Sequence, residues 1–221
     1  MIEKNLLHFL KDLKTNNDRD WFNANKPTFK AHEADAKAFF KAVQEKLAPH
    51  DNIEGHKLMR IYRDVRFSKD KTPYKPRFAG SFSRSTPALR GSYFLNIEPG
   101  NSIVGGGFYG PNTDDLKRIR QEFEMDDTEI REILNDRTFK ATFGDMRGEE
   151  LKTAPRGFDP ENKAIDLIRK KQFYFIREFT DKEVLAPDFI EKVVESCKVI
   201  RPYFDYMSSV LTTNANGESI L

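Results

Sequence analysis

Hydrophobic positions in the first quarter of the chain recur at the spacing of amphipathic helices. Leucines at helical spacing between residues 6 and 13 predict a first helix, which ends at the turn-forming residues 15–17. A short helix is predicted from about Asp18, and a longer helix begins near Pro27, which suits a first helical turn, and extends to about Leu47. The amino-terminal quarter is therefore predicted to be helical.

Between residues 58 and 104 the pattern changes to short runs rich in Ile, Val, Tyr and Phe, which proline and glycine separate. Such runs favour an antiparallel sheet, with strands at residues 59–67, 77–82, 92–97 and 102–107. The first run also fits one face of a helix, because its apolar residues fall at helical spacing. The flanking glycine and prolines favour a strand for this run.

The second half of the chain alternates helix-forming segments with one further strand. Capping residues and acids open two helices after Pro111, in the runs NTDDLKRIRQEF and DDTEIREILND. A short helix over residues 160–169, a strand over residues 172–179 and a long helix from Pro187 complete the pattern. We therefore predict an α+β fold, with a central antiparallel sheet flanked by amino-terminal helices and a long carboxy-terminal helix. Residues 1–211 are predicted to form a single domain, and residues 212–221 a frayed tail.

The composition is that of a folded chain with an aromatic-rich core. Hydrophobic residues make up 38% of the 221 positions, and nineteen are Phe. The only cysteine, Cys197, excludes an intrachain disulfide and indicates a reducing compartment. The first residues, MIEKNLLHFLKDLK, hold no continuous apolar run and fit neither a signal peptide nor a membrane span. We therefore expect a soluble, cytoplasmic protein without a membrane partner.

Positive charge is concentrated in residues 57–77, with the sequence KLMRIYRDVRFSKDKTPYKPR. This segment holds eight basic residues against two acids and so carries +6, whereas the whole chain carries +2. Such a concentration needs counter-charge, either from acids elsewhere in the fold or from an anionic ligand. Guanidinium forks bind carboxylate and phosphate groups, and lysines add flexible point charges. The candidate ligand-binding residues are Arg60, Arg63, Arg66, Lys69, Lys71, Tyr74 and Lys75.

Arg63 has a special position if residues 59–67 form a strand. It then interrupts an apolar face that includes Ile61 and Val65, because side chains alternate between the two faces of a strand. A buried guanidinium must be paired, since removing one partner of a buried pair costs about 3–5 kcal/mol. Arg63 is therefore predicted to be either a buried anchor or a clamp for a ligand.

The basic segment also carries a family resemblance. It follows the pattern R-x-x-R-D-x-R-F and then D-K-x-x-Y, filled by Arg60, Arg63, Asp64, Arg66, Phe67, Asp70, Lys71 and Tyr74. The run NNDRDWFNANK from Asn16, the glycine run 105–107 and the run LKTAPRGFD from Leu151 fit the same family. Together these segments resemble a widespread bacterial family catalogued as domain of unknown function 2461, over the full length of the chain. The resemblance implies a cytosolic protein from a family without an assigned activity.

Three functions are open on the sequence alone. In the first, the basic segment forms a pocket for a small phosphorylated or carboxylated ligand, and Asp64 or Tyr74 is the candidate for any catalytic proton transfer. In the second and less favoured one, the same cations together with Arg77, Arg84 and Arg90 bind nucleic acid. In the third, acids of the fold neutralise the segment, and its role is structural or in protein interaction. Whether the protein is an enzyme is left open by the sequence.

A glycine motif and the histidines complete the candidates. The run GGGFYG at residues 105–110 satisfies G-x-G-x-x-G, but Pro111 and Asn112 precede the next helix and no second hydrophobic strand follows. We interpret the glycines as a bulge or a close approach of backbones. The scattered histidines lack metal-ligand spacing, and a single cysteine excludes a thiolate zinc site. We therefore predict no metal and no cofactor.

Overall fold

A computed structural model describes residues 1–214 and 216–221, and it has the predicted α+β architecture with amino-terminal helices and a long carboxy-terminal helix. Within these residues, five strands form one antiparallel sheet, in which each strand pairs with the next strand along the chain. The strands are β1 Ile53–Leu58, β2 Phe78–Arg84, β3 Ser92–Ile97, β4 Ser102–Phe108 and β5 Phe173–Phe179. The helices are α1 Lys4–Thr15, α2 Arg19–Ala24, α3 Lys26–Leu47, α4 Thr113–Met125, α5 Thr128–Asn135, α6 Arg137–Phe143, α7 Ile165–Ile168, α8 Asp181–Val184 and α9 Phe189–Thr212.

Helix starts follow the capping residues in the sequence. The carboxylate of Asp18 accepts the backbone N–H of Trp21 at 2.9 Å and so caps α2. Pro27 lies in the first turn of α3, where its missing N–H costs nothing. The predicted starts of these two helices are thus confirmed.

The chain divides into two compact units. The first comprises Met1–Phe82, Phe94–Val104 and Glu178–Glu195, and the second comprises Ser83–Tyr93, Gly105–Arg177 and Ser196–Leu221. The prediction of one domain over residues 1–211 stays a prediction. So does the frayed tail, of which residue 215 lies outside the described residues.

Stacked phenylalanines form the core of the first unit, where α3 packs against β1. Phe40 of α3 stacks on Phe82 of β2, with 5.7 Å between ring centroids and 10° between planes. Phe29 of α3 stacks in the same way on Phe78, at 6.0 Å and 9°. All four rings are buried, which confirms the predicted aromatic-rich interior.

The second unit has its own aromatic cluster around Phe175 of β5. The rings of Phe139 in α6 and Tyr203 in α9 meet Phe175 edge to face, at centroid distances of 4.9 and 5.0 Å. The Tyr203 hydroxyl donates to the Phe173 carbonyl at 2.9 Å. Because the hydroxyl is fully buried, its pKa is raised well above the ordinary value, and Tyr203 stays neutral.

The strand predicted at residues 59–67 is wrong. The first strand is β1, six residues earlier, and residues 59–77 form a loop between β1 and β2. Of the apolar residues in 59–67, Ile61 is buried at 5% exposure, but Met59 and Phe67 are 40% and 96% exposed. The apolar alternation was therefore not a sign of one buried face. The sequence of β1, IEGHKL, is half-buried and too polar to show the alternation.

Smaller differences concern short helices. Helices α6 and α8 were not predicted, and the helix expected at residues 160–169 is confined to α7. Segments of four to seven residues carry too few apolar positions to show a helical period. Among the described residues, no helix is both long and apolar enough to cross a membrane.

Candidate functional site

The loop formed by residues 59–77, called the basic loop from here on, folds back on itself. Tyr62 and Tyr74 form an antiparallel bridge, and the N–H of Arg63 donates to the Pro73 carbonyl at 2.8 Å. The N–H of Lys75 donates to the Ile61 carbonyl, also at 2.8 Å. These backbone bonds join the two ends of the loop and fix the side chains that project from them.

Tyr74 anchors the basic loop to the amino-terminal helices. The side-chain amide of Asn17, between α1 and α2, donates to the Tyr74 carbonyl and accepts the Tyr74 N–H, each at 3.0 Å. The Tyr74 ring stacks on Phe22 of α2 with 4.0 Å between centroids, and the residue is 4% exposed. Burial, the largest effect, raises the pKa of the Tyr74 hydroxyl, which therefore stays protonated near neutral pH.

Arg63 is paired within the loop. Its Nη1 forms an ion pair with the Asp70 carboxylate and donates to the Thr72 hydroxyl at 2.5 Å. Asp70 also accepts the Thr72 N–H at 2.9 Å and the Thr72 hydroxyl at 2.8 Å. These donors, the Arg63 guanidinium first, lower the pKa of Asp70 to about 2. Nη2 of Arg63 makes only a long contact of 3.5 Å to the Ser68 hydroxyl.

Arg66 pairs with Asp64 at the exposed tip of the loop. The guanidinium donates from Nε at 3.0 Å and from Nη2 at 2.7 Å to the two carboxylate oxygens, and it holds the pKa of Asp64 below its usual range. The ammonium group of Lys71 donates to the Val65 carbonyl at 2.9 Å. Lys69 is exposed. These predicted site residues thus form local contacts or face solvent.

An open cleft of about 480 Å³, the cationic cleft, lies beside the anchored end of the loop. Four cations and two carboxylates belong to its lining, together with polar groups of Asn17, Thr72 and Tyr74. The cations are Lys14, Arg63, Lys75 and Arg77, and the carboxylates are Asp70 and Glu98. Asp70 is engaged by Arg63, and Glu98 accepts the side-chain amides of Asn96 and Asn101, each at 3.2 Å. The lining therefore has more positive than negative charge.

Lys75 is a partly buried cation of the cationic cleft. Among the described residues, no carboxylate forms an ion pair with it, and its side chain is partly buried. Burial, and after it the charges of Arg77, Arg60 and Arg63, lowers the pKa of the Lys75 ammonium. The charges that shift its pKa are all positive, and such an excess of positive charge attracts an anion.

A second cleft of about 310 Å³, the tyrosine cleft, shares Arg63 and Tyr74 with the cationic cleft. Its other lining residues are Arg19, Asn23, Tyr62, Val65 and Pro73. The Tyr62 ring is 47% exposed and meets its aromatic neighbours only at an angle, with 53° to Tyr74 and 68° to Phe22. Arg63 and Tyr74 therefore line both the cationic cleft and the tyrosine cleft.

The structure brings three of the predicted ligand-binding residues to one cleft. Arg63, Tyr74 and Lys75 line the cationic cleft, whereas Arg60, Asp64, Arg66, Lys69 and Lys71 line neither cleft. Sequence reasoning missed Lys14, Asn17 and Arg19 as site residues. Asn17 and Arg19 lie in the NNDRDWFNANK run that carried the family resemblance, so a signal existed for them. Lys14, at the end of α1, carried no signal.

The remaining residues that the sequence analysis singled out make contacts within the fold. Arg84 and Arg90 form ion pairs with Asp205 and Asp115, each at 2.5 Å. A side chain at Gly105 would overlap the Phe175 carbonyl, so the glycine run permits the close backbone approach that we predicted. Among residues 1–214 and 216–221, no group of three or more His, Cys, Asp or Glu side chains is placed to hold a metal ion.

Another open cleft, of about 500 Å³, lies on the second unit and is lined by Arg137, Thr138, Ala141, Thr142 and Arg177. The Arg177 guanidinium donates to the Ser196 hydroxyl at 3.0 Å. We favour the cationic cleft over this one, despite the similar volume, because it is lined by four cations rather than two and its wall is anchored by Asn17 and Phe22.

Comparison with known proteins gives one match. No curated protein and no solved structure matches the chain. A family model described as conserved hypothetical protein, DUF2461, matches residues 5–206. These residues span α1 to most of α9 and include both clefts. The chain therefore belongs to the DUF2461 family of conserved hypothetical proteins.

Proposed function

We propose that the protein binds a small anionic ligand, with a phosphate or carboxylate group, in the cationic cleft. The observation that carries this proposal is Lys75, a partly buried ammonium whose pKa is lowered by burial and by neighbouring cations. Repulsion of this kind costs stability in the free protein, and a bound anion would remove it. Binding of an anion would therefore offset a repulsion between cations that destabilises the free protein.

The donors around Lys75 suit such a ligand. Arg77 adds a guanidinium fork and Lys14 a flexible ammonium, and both side chains line the same cleft. The hydroxyl of Tyr74 is held protonated and is therefore a hydrogen-bond donor rather than an acceptor of protons. For any reaction in the cleft, Tyr74 is the candidate proton donor, and Asp64, which lines neither cleft, is the weaker one of the two predicted residues.

A thermal-shift and calorimetric screen tests the proposal. Pyrophosphate, sugar phosphates, nucleotides and citrate are added to the wild-type protein and to the Lys75→Gln and Arg77→Gln variants. Each variant is expected to weaken binding about tenfold or more, since a hydrogen bond to a charged group contributes about 1.5–3 kcal/mol. Arg66→Gln is the matched control, because it removes one charge from the same loop outside both clefts. The absence of any ligand-dependent shift, or an equal loss in the control, would argue against the cationic cleft.

Nucleic-acid binding is the second candidate, and Phe67 favours it. This ring is 96% exposed on the basic loop, and the Arg66 guanidinium lies 5.9 Å from its centroid. Exposed rings among cations are a stacking platform for single-stranded nucleic acid. Salt distinguishes the candidates, because binding to several backbone phosphates weakens steeply between about 50 and 200 mM salt, whereas a ligand with one or two charges responds much less.

A structural role of the basic segment predicts a different result. If the segment serves the fold alone, Arg63→Ala lowers the free energy of unfolding, because it removes the partner of Asp70 and Thr72, and no anion changes the melting temperature. The pairs of Arg63 with Asp70 and of Arg66 with Asp64 fit this role. Lys14, Lys75 and Arg77 do not fit it, because none of them forms an ion pair with a carboxylate among the described residues.

We further propose that the protein works in the cytoplasm. The chain has a single cysteine, Cys197, and this residue is buried. A reducing compartment suits a protein of this size that uses no disulfide. Localisation of a tagged full-length chain tests the proposal, and a signal confined to the cell envelope would contradict it.

A further inference from the structure

We propose that the anionic ligand is a nucleotide, with its phosphates in the cationic cleft and its base against Tyr62 in the tyrosine cleft. This inference rests on the proposed function and names the class of ligand for the same site. It depends on one arrangement, in which Arg63 and Tyr74 line both clefts. A ligand that occupies both spaces needs an anionic end and a flat, apolar end, and nucleoside phosphates have both.

Tyr62 offers a free aromatic surface. Its centroid lies 5.5 Å from Tyr74 and 6.1 Å from Phe22, and both contacts are inclined rather than parallel. Phe22 and Tyr74 instead stack on each other, at 20°. The described ring contacts therefore leave the faces of Tyr62 without a parallel partner, and nearly half of the residue is exposed at 47%. A base stacks on such a ring whatever its identity.

Polar groups of the tyrosine cleft suit the rest of a nucleoside. Asn23 in α2 carries both a donor and an acceptor on its amide, the combination that the edge of a base requires. Arg19 lies near enough to the Tyr74 hydroxyl for its charge to oppose the rise in the pKa of Tyr74. The tyrosine cleft thus has one exposed ring, one amide and cations at its border, and no carboxylate among its lining residues.

Arg63 connects the two spaces. Nη1 is held by Asp70 and Thr72, which sets the plane of the guanidinium. Among the described residues, Nη2 has only the 3.5 Å contact to Ser68, so it is available to an oxygen of the ligand. The volumes of about 480 and 310 Å³ both lie within the range of pockets that bind small molecules, about 300–1,000 Å³. A phosphate chain in the cationic cleft and a base in the tyrosine cleft match these volumes.

Calorimetric titration with inorganic pyrophosphate, ribose 5-phosphate, ADP and UDP tests the inference. ADP and UDP are expected to bind the wild-type protein about tenfold more tightly than pyrophosphate, because stacking on Tyr62 adds to the phosphate contacts. Tyr62→Ala should remove this advantage and leave pyrophosphate binding unchanged, while Tyr62→Phe should retain it. Phe67→Ala is the matched control, since its exposed ring lines neither cleft.

The outcomes separate this inference from the proposed function. If pyrophosphate binds and the nucleotides bind no more tightly, the nucleotide inference is wrong and the anion site stands. If none of the four compounds binds, both are wrong. If Tyr62→Ala fails to fold, Tyr62→Leu replaces it, and the comparison of ADP with pyrophosphate on the wild-type protein still decides the question. An equal loss of ADP binding in Phe67→Ala would overturn the placement of the base.

Discussion

The side-chain amide of Asn17 holds the backbone of Tyr74 in both directions, as donor to its carbonyl and as acceptor from its N–H, with 3.0 Å for each bond. The two residues are 57 positions apart, so the pair closes a long loop of chain. A side-chain amide carries a donor and an acceptor, as a peptide group does, so it can take the place of a neighbouring strand in this way. The basic loop thus owes its position to a residue outside it.

Replacing Asn17 by alanine is expected to lower the free energy of unfolding by about 1–3 kcal/mol, because two partly buried backbone groups lose their partners. Asn17→Asp keeps the acceptor, loses the donor and adds a negative charge to the cationic cleft, so it should also weaken anion binding. Urea unfolding and calorimetry measure the two effects. Asn16→Ala is the control, because the described side-chain hydrogen bond of Asn16 goes to the Asp12 carbonyl of its own helix end; a loss as large as that of Asn17→Ala would contradict the prediction.

Lys75→Met is expected to stabilise the free protein while it weakens anion binding about tenfold or more. The folded pKa of Lys75 is lowered, so the charged ammonium opposes folding below that pKa, and the penalty disappears as pH rises toward the ordinary value of 10.5. At pH 7 we expect a gain of about 0.5 kcal/mol, typical for the removal of one exposed charge interaction. Denaturant unfolding at pH 7 and in alkaline solution measures it. Lys69→Met, outside both clefts, should gain less, and a clear loss of stability in Lys75→Met at pH 7 would contradict the account.

Asp70→Asn is expected to destabilise the protein at neutral pH but not in strong acid. The Arg63 and Thr72 donors depress the folded pKa of Asp70 to about 2, from an ordinary value of 3.8. Its contribution is therefore fully present above about pH 4 and is lost as pH falls toward 2. Urea midpoints of wild type and variant should differ at pH 7 and converge on acidification. A difference that stays constant with pH would show that the carboxylate charge is not the cause.

Gly105→Ala is expected to destabilise the protein by about 1–3 kcal/mol or more, since an added Cβ would overlap the backbone oxygen of Phe175. Gly55→Ala is the matched control in β1, where no heavy atom lies within 4 Å of the added carbon. The control should be neutral or slightly stabilising, by up to about 1 kcal/mol, because alanine costs less backbone entropy than glycine. Thermal unfolding compares the two, and equal effects would refute the close approach of the backbones.

Regular elements with a strong pattern could be predicted from the sequence. Strand β3 lies at the predicted residues, and α3 begins and ends within one residue of the prediction, because apolar spacing, Pro27 and the buried faces agree. The edge strand β1 could not be predicted, since its polar sequence becomes a strand only by pairing with β2. Local sequence does not encode such a partner.

The candidate site could be predicted only in part for the same reason. Charge density identified the basic segment, and Arg63, Tyr74 and Lys75 do line the cationic cleft. The sequence did not show which cations are neutralised by acids of the same segment. Arg66 is one of them, because it pairs with Asp64 two positions away. Nor could the sequence bring Lys14 and Asn17 to the cleft, because only the folded contacts do so.

The tip of the basic loop is built differently from its base. Residues 64–71 make their described hydrogen bonds within the loop, whereas Tyr74 at the base is fastened to Asn17 and Phe22. Exposed tip residues that line neither cleft, such as Phe67 and Lys69, tolerate insertion and exchange of sequence, while the base sets the path of the chain. Tips of different length and composition could therefore be grafted onto one unchanged framework, which would make this segment a convenient position for altering binding preference without redesigning the fold.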